Sequence, residues 1–440
     1  MEKVKSFDYN KIKRCKREGH FSVNMIRESL ETPVLGTYDV IVVGAGPAGC
    51  GAALAAARNG AKTLILDKFN CLGGLWTTGF MNPFFDIRNK GGIVEELINE
   101  HKSRGTWGGF RDISFHYETM KQILEDKMIE SGADILFNTL FCKTIVEGNR
   151  VKGVIVENID GRGAYLADTV IDCTGDGNVA ADAGCEFDIG EDGDYKTCQA
   201  MTLMFLVGNI PEKYEKGLMI GELLEAVYQK EGKEIPFRKP FLIPVPTTKY
   251  GVVQFTHMYE YHPLKANEIT AATIEGRRQM NEAFTLLKKH DPDFRDLELI
   301  TSADVLGVRE SRRILGEYYL TDEDIFSGKH FDDDISEARF GVDTHPKNGR
   351  AQVCRKTPPF GIPFRCLIPR DVDGLLVAGR CISGSHLAMA AYRVTGNCCS
   401  MGEAAGKAAA YIKKNGGNFR TLDAKTVREH IAAPIKIVNQ

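Results

Sequence analysis

The sequence predicts an α/β protein, and three consecutive segments carry that prediction. A β-branched stretch at 38–43 is typical of a strand in a parallel sheet that is covered on both faces. A small-residue stretch at 48–58 follows with the composition of a buried helix, and the apolar stretch at 62–66 predicts the next strand. Strand, helix and strand over about thirty residues form a right-handed βαβ unit. We therefore expect a Rossmann-like, mainly parallel sheet.

Composition and charge exclude several classes of protein. Hydrophobic residues make up 43% of the chain, charged residues 26%, and the formal net charge is −3. This balance gives no electrostatic footprint for nucleic acid or an anionic membrane, and no apolar run approaches the roughly 18–20 residues that cross a bilayer. The twelve cysteines include no CxxC pair, so we expect structural thiols and no metal centre. No apolar segment follows the basic N-terminal residues, so we expect a cytoplasmic protein.

The turn after the first strand carries the motif GxGxxG at residues 44–49. Gly44 permits the tight turn, Gly46 lets the backbone approach a pyrophosphate, and Gly49 lets the helix pack closely against the strand. The free N–H groups and the dipole of the helix N-terminus favour a diphosphate. Asp67, at the end of the second strand, is placed to accept hydrogen bonds from ribose hydroxyls. These residues together predict a dinucleotide site.

Two further segments favour FAD over NAD as the dinucleotide. The glycine-rich loop 71–79 follows the ribose acid and can lie along a ribityl chain and an isoalloxazine ring. The segment 174–177 follows another strand, where Asp176 is placed to hold the flavin side of the cofactor. No second GxGxxG motif occurs, so we expect one dinucleotide site. The predicted cofactor-binding residues are Gly44, Gly46, Pro47, Ala48, Gly49, Asp67, Lys68, Gly73, Gly74, Leu75, Thr77, Thr78, Cys142, Thr174, Gly175, Asp176, Gly379, Arg380, Gly396 and Asn397.

The pattern along the chain predicts that the FAD-binding domain is interrupted. At 440 residues the chain is long for one hydrophobic core. Between about 200 and 360 short apolar strands alternate with polar helices, and a buried-type strand returns at 375–378. We predict an N-terminal extension (1–36), a first FAD-binding part (37–199), an inserted α+β substrate domain (200–360), a second FAD-binding part (361–418) and a C-terminal tail (419–440).

Several blocks of the sequence together resemble the FAD-dependent oxidoreductase family, which is related to the fumarate reductase and glutathione reductase flavoproteins. Besides the glycine motif, the matching blocks lie at 26–29, 32–34, 72–74, 172–177, 199–205, 307–313, 361–365 and 376–383. The resemblance extends from about Val23 to Ala410 and implies an FAD-binding domain of the glutathione reductase type. It says little about the substrate, because the family is chemically broad.

Two departures from better-known flavoproteins narrow the chemistry that this resemblance implies. Disulfide reductases carry a CxxxxC pair just after the ribose acid, whereas here Cys71 stands alone and Trp76 occupies the second position. Flavoproteins that bind flavin covalently, such as succinate dehydrogenase, carry a histidine in this loop. None occurs between Asp67 and Phe80, so we expect noncovalent FAD and no thiol–disulfide exchange.

The segment 379–397 is the main source of candidate catalytic residues. By resemblance to the fumarate reductase-like flavoproteins, His386 and Arg393 are candidates for substrate binding or acid–base work. The alternative is that His386 caps a turn and Arg393 pairs with an acid at a domain interface. We also expect the helix that begins near Asn397 to direct its N-terminus at the flavin N1/O2 edge.

The arginine-rich segment 307–313 offers a second set of candidates. Arg309 or Arg312 can clamp an anionic substrate through two hydrogen bonds. Pairing between arginine and glutamate that joins the inserted region to the FAD domain explains the segment equally well. His257, His262 and His345 are weaker candidates for facing the flavin, since a single histidine is more often a hydrogen-bonded structural residue.

These features favour an oxidoreductase that moves a hydride between noncovalent FAD and a small organic substrate bound between the FAD and inserted domains. One alternative is a flavin-binding electron-transfer or RNA-modifying subunit that depends on a partner. Another is a flavin-dependent hydroxylase that also uses NAD(P)H. We expect a small-molecule substrate, no nucleic acid and no membrane as partners, and a homo-oligomer is left open.

Overall fold

The structure, a computed structural model, describes residues 28–191, 193–214, 217–346 and 353–435. The strands are β1 (Val34–Val43), β2 (Thr63–Leu66), β3 (Trp107–Gly108), β4 (Ser114–Phe115), β5 (Asp134–Leu136), β6 (Leu140–Glu147), β7 (Arg150–Asn158), β8 (Gly161–Asp172), β9 (Phe187–Ile189), β10 (Phe205–Gly208), β11 (Leu218–Met219), β12 (Phe241–Pro244), β13 (Gly251–Gln254), β14 (Glu298–Ser302), β15 (Arg312–Ile314), β16 (Asp334–Ala338), β17 (Val342–Thr344), β18 (Val353–Arg355), β19 (Phe360–Pro363) and β20 (Leu375–Val377).

The helices connect and cover these strands. They are α1 (Pro47–Arg58), α2 (Gly92–Ser103), α3 (Tyr117–Ser131), α4 (Asn178–Asp182), α5 (Gly221–Gln229), α6 (Ala266–His290), α7 (Asp322–Ser327), α8 (His386–Tyr392), α9 (Thr395–Asn415) and α10 (Ala424–Thr426). No helix among the described residues combines the length and the apolar character needed to cross a membrane.

A seven-stranded sheet forms the framework for the site. Its order is β5-β2-β1-β8-β7-β6, and β20 pairs with β8 on the far side. Strands β5, β2, β1, β8 and β20 run parallel, whereas β6, β7 and β8 form an antiparallel meander. The second half of β1, Val40 to Val43, is fully buried, as expected for a parallel strand covered on both faces. The predicted βαβ unit is thus present as β1-α1-β2.

Helices α1 and α9 pack backbone against backbone over this sheet. A Cβ atom on Gly402 would lie 1.9 Å from the Ala48 carbonyl oxygen, and one on Gly51 would lie 2.4 Å from the Cys399 carbonyl oxygen. Only glycine fits at such an approach, because any side chain would force the two helices apart. The glycine- and alanine-rich composition of both helices is therefore a packing requirement, and it fixes the N-terminus of α9 beside that of α1.

A second, antiparallel sheet is built from residues 205–302. Its order is β11-β12-β13-β10-β14, and α5 and α6 pack against it around their own apolar cluster, which includes Phe205, Val253 and Phe294. A further cluster joins this sheet to the loop after the glycine motif through Phe80 and Leu306. The described residues from Pro33 to Ile435 belong to one compact unit, and the division into FAD-binding and inserted domains stays a prediction.

Two of the predicted segments extend beyond the described residues. The N-terminal extension is described only from Glu28, and within the resemblance block at 26–29 the first two residues lie outside the described part. The C-terminal tail is described to Ile435. The cysteines among the described residues are free thiols.

Candidate active site

A cavity of about 580 Å³ opens at the carboxyl ends of β1, β2, β8 and β20. This is where open parallel sheets bind their ligands. The residues predicted for cofactor binding that line it are Gly44, Gly46, Pro47, Ala48, Asp67, Lys68, Gly74, Leu75, Thr78, Thr174, Gly175, Asp176, Gly379 and Arg380, together with Arg393 from the catalytic candidates. The cavity is large enough for a dinucleotide-sized ligand.

The glycine motif shapes one wall of this cavity because Gly46 and Gly49 carry no side chains. A Cβ atom on Gly49 would lie 1.8 Å from the Gly44 carbonyl oxygen, so the helix can approach the strand only if residue 49 is glycine. A Cβ atom on Gly46 would meet nothing within 4 Å, because it would project into open space. Gly46 also caps α1 without a side-chain hydrogen bond. The N–H groups of the first helical turn are therefore available to an anion.

Asp67 is held beside the glycine motif by two backbone groups. Its Oδ2 accepts a hydrogen bond from the Ala45 N–H at 2.5 Å, and its Oδ1 accepts one from the Phe69 N–H at 3.0 Å. Each carboxylate oxygen keeps a free acceptor direction, as a ribose diol requires. Lys68 and Phe69 continue this wall, with the Lys68 Nζ 5.0 Å from the Phe69 ring centre.

The loop 71–79 lies directly on the glycine motif. A Cβ atom on Gly74, which has a φ of +51°, would lie 2.8 Å from the Gly46 Cα. Thr78 donates its hydroxyl to the Gly74 carbonyl at 2.8 Å, and Thr77 donates to the Leu72 carbonyl at 2.7 Å. Gly74, Leu75 and Thr78 line the cavity, whereas Gly73 and Thr77 fix the shape of the loop from outside the lining.

The segment 174–178 and Arg380 form the opposite wall as one charged network. Asp176 Oδ1 accepts hydrogen bonds from Arg380 Nη2 and from Ser311 Oγ, both at 2.7 Å. Arg312 Nη1 donates to the Asp176 carbonyl and to Asn178 Oδ1, both at 3.0 Å. Asp176 is thus already paired, and it orients a guanidinium group at the cavity wall.

The N-terminus of α9 also borders the cavity. Thr395 and Cys398 line the cavity there, whereas Gly396 donates its N–H to the Phe85 carbonyl at 3.1 Å and lies outside the lining. Asn397 is fully buried, and neither atom of its side-chain amide has a hydrogen-bond partner among the described residues. A buried amide without partners is unusual in a protein interior and is consistent with a ligand that completes it.

The three predicted catalytic residues occupy different places. Arg393 lines the cavity and donates Nη2 to Asp343, at 3.0 Å to the carbonyl oxygen and 3.2 Å to Oδ2. Arg309 is buried next to the lining residue Val308. His386 lies outside the lining, where its Nδ1 is 2.8 Å from the buried carboxylate of Glu310.

Two buried histidines lie behind Arg393. His257 Nδ1 is 3.1 Å from the Phe255 carbonyl oxygen, and its Nε2 is 2.9 Å from His345 Nδ1. Because Nδ1 of His257 must donate to the carbonyl, its Nε2 accepts from His345. Burial lowers the pKa of His257 well below its ordinary value and that of His345 to about 3. Both are therefore neutral at physiological pH. His345 Nε2 in turn lies 3.4 Å from Asp343 Oδ2.

Two other predicted residues, Cys142 and His262, lie outside the lining, although the residue next to each along the chain contributes to it. Cys142 lies outside the lining, whereas Thr139, Leu140 and Phe141 contribute to it. His262 stacks on Tyr195, with ring centres 4.4 Å apart, outside the lining.

The sequence analysis missed an apolar wall formed by two segments of the antiparallel region. Val305, Leu306 and Val308 line the cavity from one side, and Pro263, Leu264 and Ile269 line it from the start of α6; the acidic Asp304 also contributes to the lining. These residues are chemically ordinary, and their sequence carries no signal that separates them from core residues.

The parallel sheet, the glycine turn with its open helix N-terminus, and the acid at the end of β2 together define a dinucleotide-binding flavoprotein. The chain belongs to the FAD dependent oxidoreductase family, which matches it over residues 39–431. The predicted cofactor, FAD, and the predicted Rossmann-like FAD-binding fold are thereby confirmed.

Relatives of known name match part of the chain. Thiamine thiazole synthase of Aeropyrum pernix is 38% identical over 143 residues, which are 31% of this chain and 50% of that protein. The tRNA uridine 5-carboxymethylaminomethyl modification enzyme MnmG of Clostridium botulinum is 34% identical over 161 residues, 32% of this chain and 24% of that protein. The chain thus spans at most half the length of these relatives.

A solved structure shows the same fold across most of the chain. The flavin-dependent brominase Bmp2 superposes with a TM-score of 0.50 over 89% of this chain and 82% of that chain, at 12% sequence identity. At this identity the likeness concerns the fold alone.

Proposed function

We propose that the protein is an oxidoreductase that moves a hydride between noncovalent FAD and a small organic substrate bound at the Arg393 end of the cavity. The observation that carries the proposal is the asymmetry of the cavity. One end is formed by glycines, helix N–H groups and Asp67, which suit a nucleotide. The other end adjoins buried, charged side chains that a nucleotide does not need.

The residues that hold FAD in this proposal form a continuous path. Gly46 and the first turn of α1 receive the diphosphate, Asp67 the adenosine ribose, and the Asp176–Arg380 pair the flavin side. Thr395 and Asn397 at the start of α9 lie where the ring system ends. FAD supplies the hydride acceptor or donor, and the protein supplies position, charge and exclusion of water.

The chain's own residues have three tasks at the substrate end. Arg393, fixed by Asp343, presents a guanidinium group to the substrate. The apolar wall at 263–264 and 305–306 excludes water from the reacting atoms. His386 acts as a positioning residue, because it contacts Glu310, which holds the segment that carries Arg309.

Anaerobic flavin reduction tests this proposal. The purified protein is mixed without oxygen with a panel of small alcohols, amines and acids, and bleaching of the flavin absorbance is followed by stopped flow. The photoreduced protein is mixed in parallel with activated alkenes. We expect one compound class to change the flavin redox state in the wild type, and Arg393→Gln to lower that rate at least 100-fold while FAD stays bound.

The matched control is Arg162→Gln, because Arg162 forms an exposed ion pair with Glu157 on the β7–β8 hairpin. It should react as the wild type does. Flavin reduction that occurs only with NAD(P)H and is followed by oxygen uptake would favour the hydroxylase and contradict the proposal. Equal rates in Arg393→Gln and the wild type would contradict the role of Arg393.

A further inference from the structure

Asp304 is an acidic residue of the cavity lining whose side chain has no partner among the described residues. It is exposed, whereas Ala303 and Leu306 close to it along the chain are buried. Its backbone N–H donates to the Thr78 carbonyl at 3.1 Å, which fixes the main chain beside the loop 71–79. No hydrogen bond or ion pair joins its carboxylate to another residue of the described ranges. The carboxylate is therefore open to a ligand.

The other two acids of the lining already have partners. Asp67 accepts hydrogen bonds from two backbone N–H groups, and Asp176 accepts them from Arg380 and Ser311. Both belong to the path that holds FAD in the proposed function. Asp304 thus differs from them, because neither the protein fold nor that path uses its side chain.

The charges around the cavity favour a cation once a dinucleotide is bound. The charged residues of the lining are Lys68, Arg312, Arg380, Arg393, Asp67, Asp176 and Asp304. Behind the lining, Asp343 pairs with Arg393, and the buried Arg309 adds a positive charge. Basic groups therefore exceed acids by one, five against four. The diphosphate of FAD carries a negative charge on each phosphate and reverses that sign, and a cavity of one sign concentrates ligands of the other.

Apolar surface adjoins Asp304 on the cavity wall. Residues 305–306 follow it along the chain, and residues 263–264 line the cavity from the start of α6. Arg277, which approaches the preceding strand β14, donates Nε to Ser302 Oγ at 3.5 Å and leaves Asp304 unpaired. A carboxylate beside apolar surface attracts a cation more strongly than a fully solvated one, because less water screens the charge. The wall therefore suits a ligand with an apolar body and a cationic group.

We propose that Asp304 binds the cationic group of the substrate, so that the substrate class is a small amine with an apolar body. This inference rests on the proposed function, because it names the substrate class of the same cavity. A protonated amine donates a charge-assisted hydrogen bond to the carboxylate, and its carbon atoms cover the apolar wall. Arg393 is compatible with such a substrate, because Asp343 offsets its positive charge.

Titration with amines and the alcohols of the same shape tests the proposal on the FAD-loaded protein at neutral pH and constant ionic strength. The probes are benzylamine against benzyl alcohol, cyclohexylamine against cyclohexanol, and benzoate as the anion. The readouts are the flavin absorbance difference spectrum and the melting temperature, which also reports binding if no flavin is present. We expect each amine to bind about 10-fold more tightly than its alcohol, as a hydrogen bond to a charged group allows, and benzoate not to bind.

Variants assign the preference to Asp304. Asp304→Asn should weaken amine binding about 10-fold and leave alcohol binding and FAD content unchanged, and Asp304→Glu should recover part of the amine binding. The matched control is Glu298→Gln, which removes an exposed carboxylate from β14 outside the lining and should bind as the wild type does. If Asp304→Asn does not fold, the wild-type comparison of amine with alcohol still decides.

The possible failures are distinguishable. Protein that lacks FAD but binds amines through Asp304 would contradict the proposed function and support the cation site. Protein that binds FAD but takes amine and alcohol equally, or prefers benzoate, would overturn the cation site and leave the proposed function standing. Loss of FAD from Asp304→Asn with unchanged amine binding would assign the carboxylate to the cofactor and would also overturn the cation site.

Discussion

The proposed nucleotide end and the proposed substrate end of the cavity differ in the groups that they offer to a ligand. At the nucleotide end the chain contributes backbone N–H groups, glycines that leave space, and the fixed carboxylate of Asp67. At the proposed substrate end it contributes Arg393, which lines the cavity, and the buried Arg309 lies next to the lining residue Val308. The nucleotide end thus depends on shape and the substrate end on charge. Substitutions at the two ends should therefore have different effects on the protein.

The largest expected effect is at the nucleotide end. In Gly46→Val the new side chain enters space that holds no protein atom within 4 Å, so the fold should persist. That space is where the diphosphate approaches the helix, and FAD binding should be lost entirely. Flavin fluorescence after denaturation measures the bound FAD, and circular dichroism checks the fold. Ala57→Ser, at the other end of α1, is the control and should retain FAD. A yellow Gly46→Val protein with a full complement of FAD would show that FAD binding does not depend on the open space at Gly46.

Intermediate effects should separate two buried arginines of the segment 307–313, Arg309 and Arg313. Arg313→Gln leaves the buried carboxylate of Glu310 without its arginine and should lower the free energy of unfolding by about 3 kcal/mol or more. Arg309→Gln leaves no carboxylate unpaired and should cost under about 1.5 kcal/mol. Denaturant titration of both variants measures the difference. Equal losses of unfolding free energy in the two variants would mean that an acidic residue also stabilises Arg309 in the folded protein.

The smallest expected effect concerns pH. His345 has a pKa of about 3 when folded, against about 6.5 when unfolded. The unfolded chain therefore binds more protons in this window, and stability falls as pH drops below about 6.5. Between pH 7.5 and 5.5 the loss from this one histidine is about 1.4 kcal/mol.

His345→Gln should flatten the pH dependence of the free energy of unfolding by that amount. The check is denaturant titration at both pH values. A slope as steep as that of the wild type would show that folding does not lower the pKa of His345.

The residues proposed for the nucleotide end could be named from the sequence for a physical reason. Its residues act through the backbone of one turn, so they are consecutive, and the motif at 44–49 and the acid at 67 reveal them directly. The βαβ unit follows from the same short segment. The sequence does not show which residue of a strand faces the cavity: Cys142 was predicted, whereas residues 139–141 line the cavity.

The substrate end was only partly visible in the sequence. Arg309, Arg393 and His345 come together through tertiary packing, and no spacing in the sequence encodes that meeting. Arg393 and Arg309 were proposed as candidates, but the pairing of Arg393 with Asp343 and the lack of an acid at Arg309 required the structure. His386, the other candidate, has the right chemistry for catalysis but contacts Glu310 outside the lining.

A crystal structure of the FAD-loaded protein tests the central claim most directly, namely that the shape-built end holds the nucleotide and the charged end adjoins the flavin. The account predicts the diphosphate at Gly46 and the first turn of α1, the adenosine ribose on Asp67, and the isoalloxazine ring beside Thr395 and Arg393. An isoalloxazine ring beside residues 139–141, with adenine at Arg393, would contradict it.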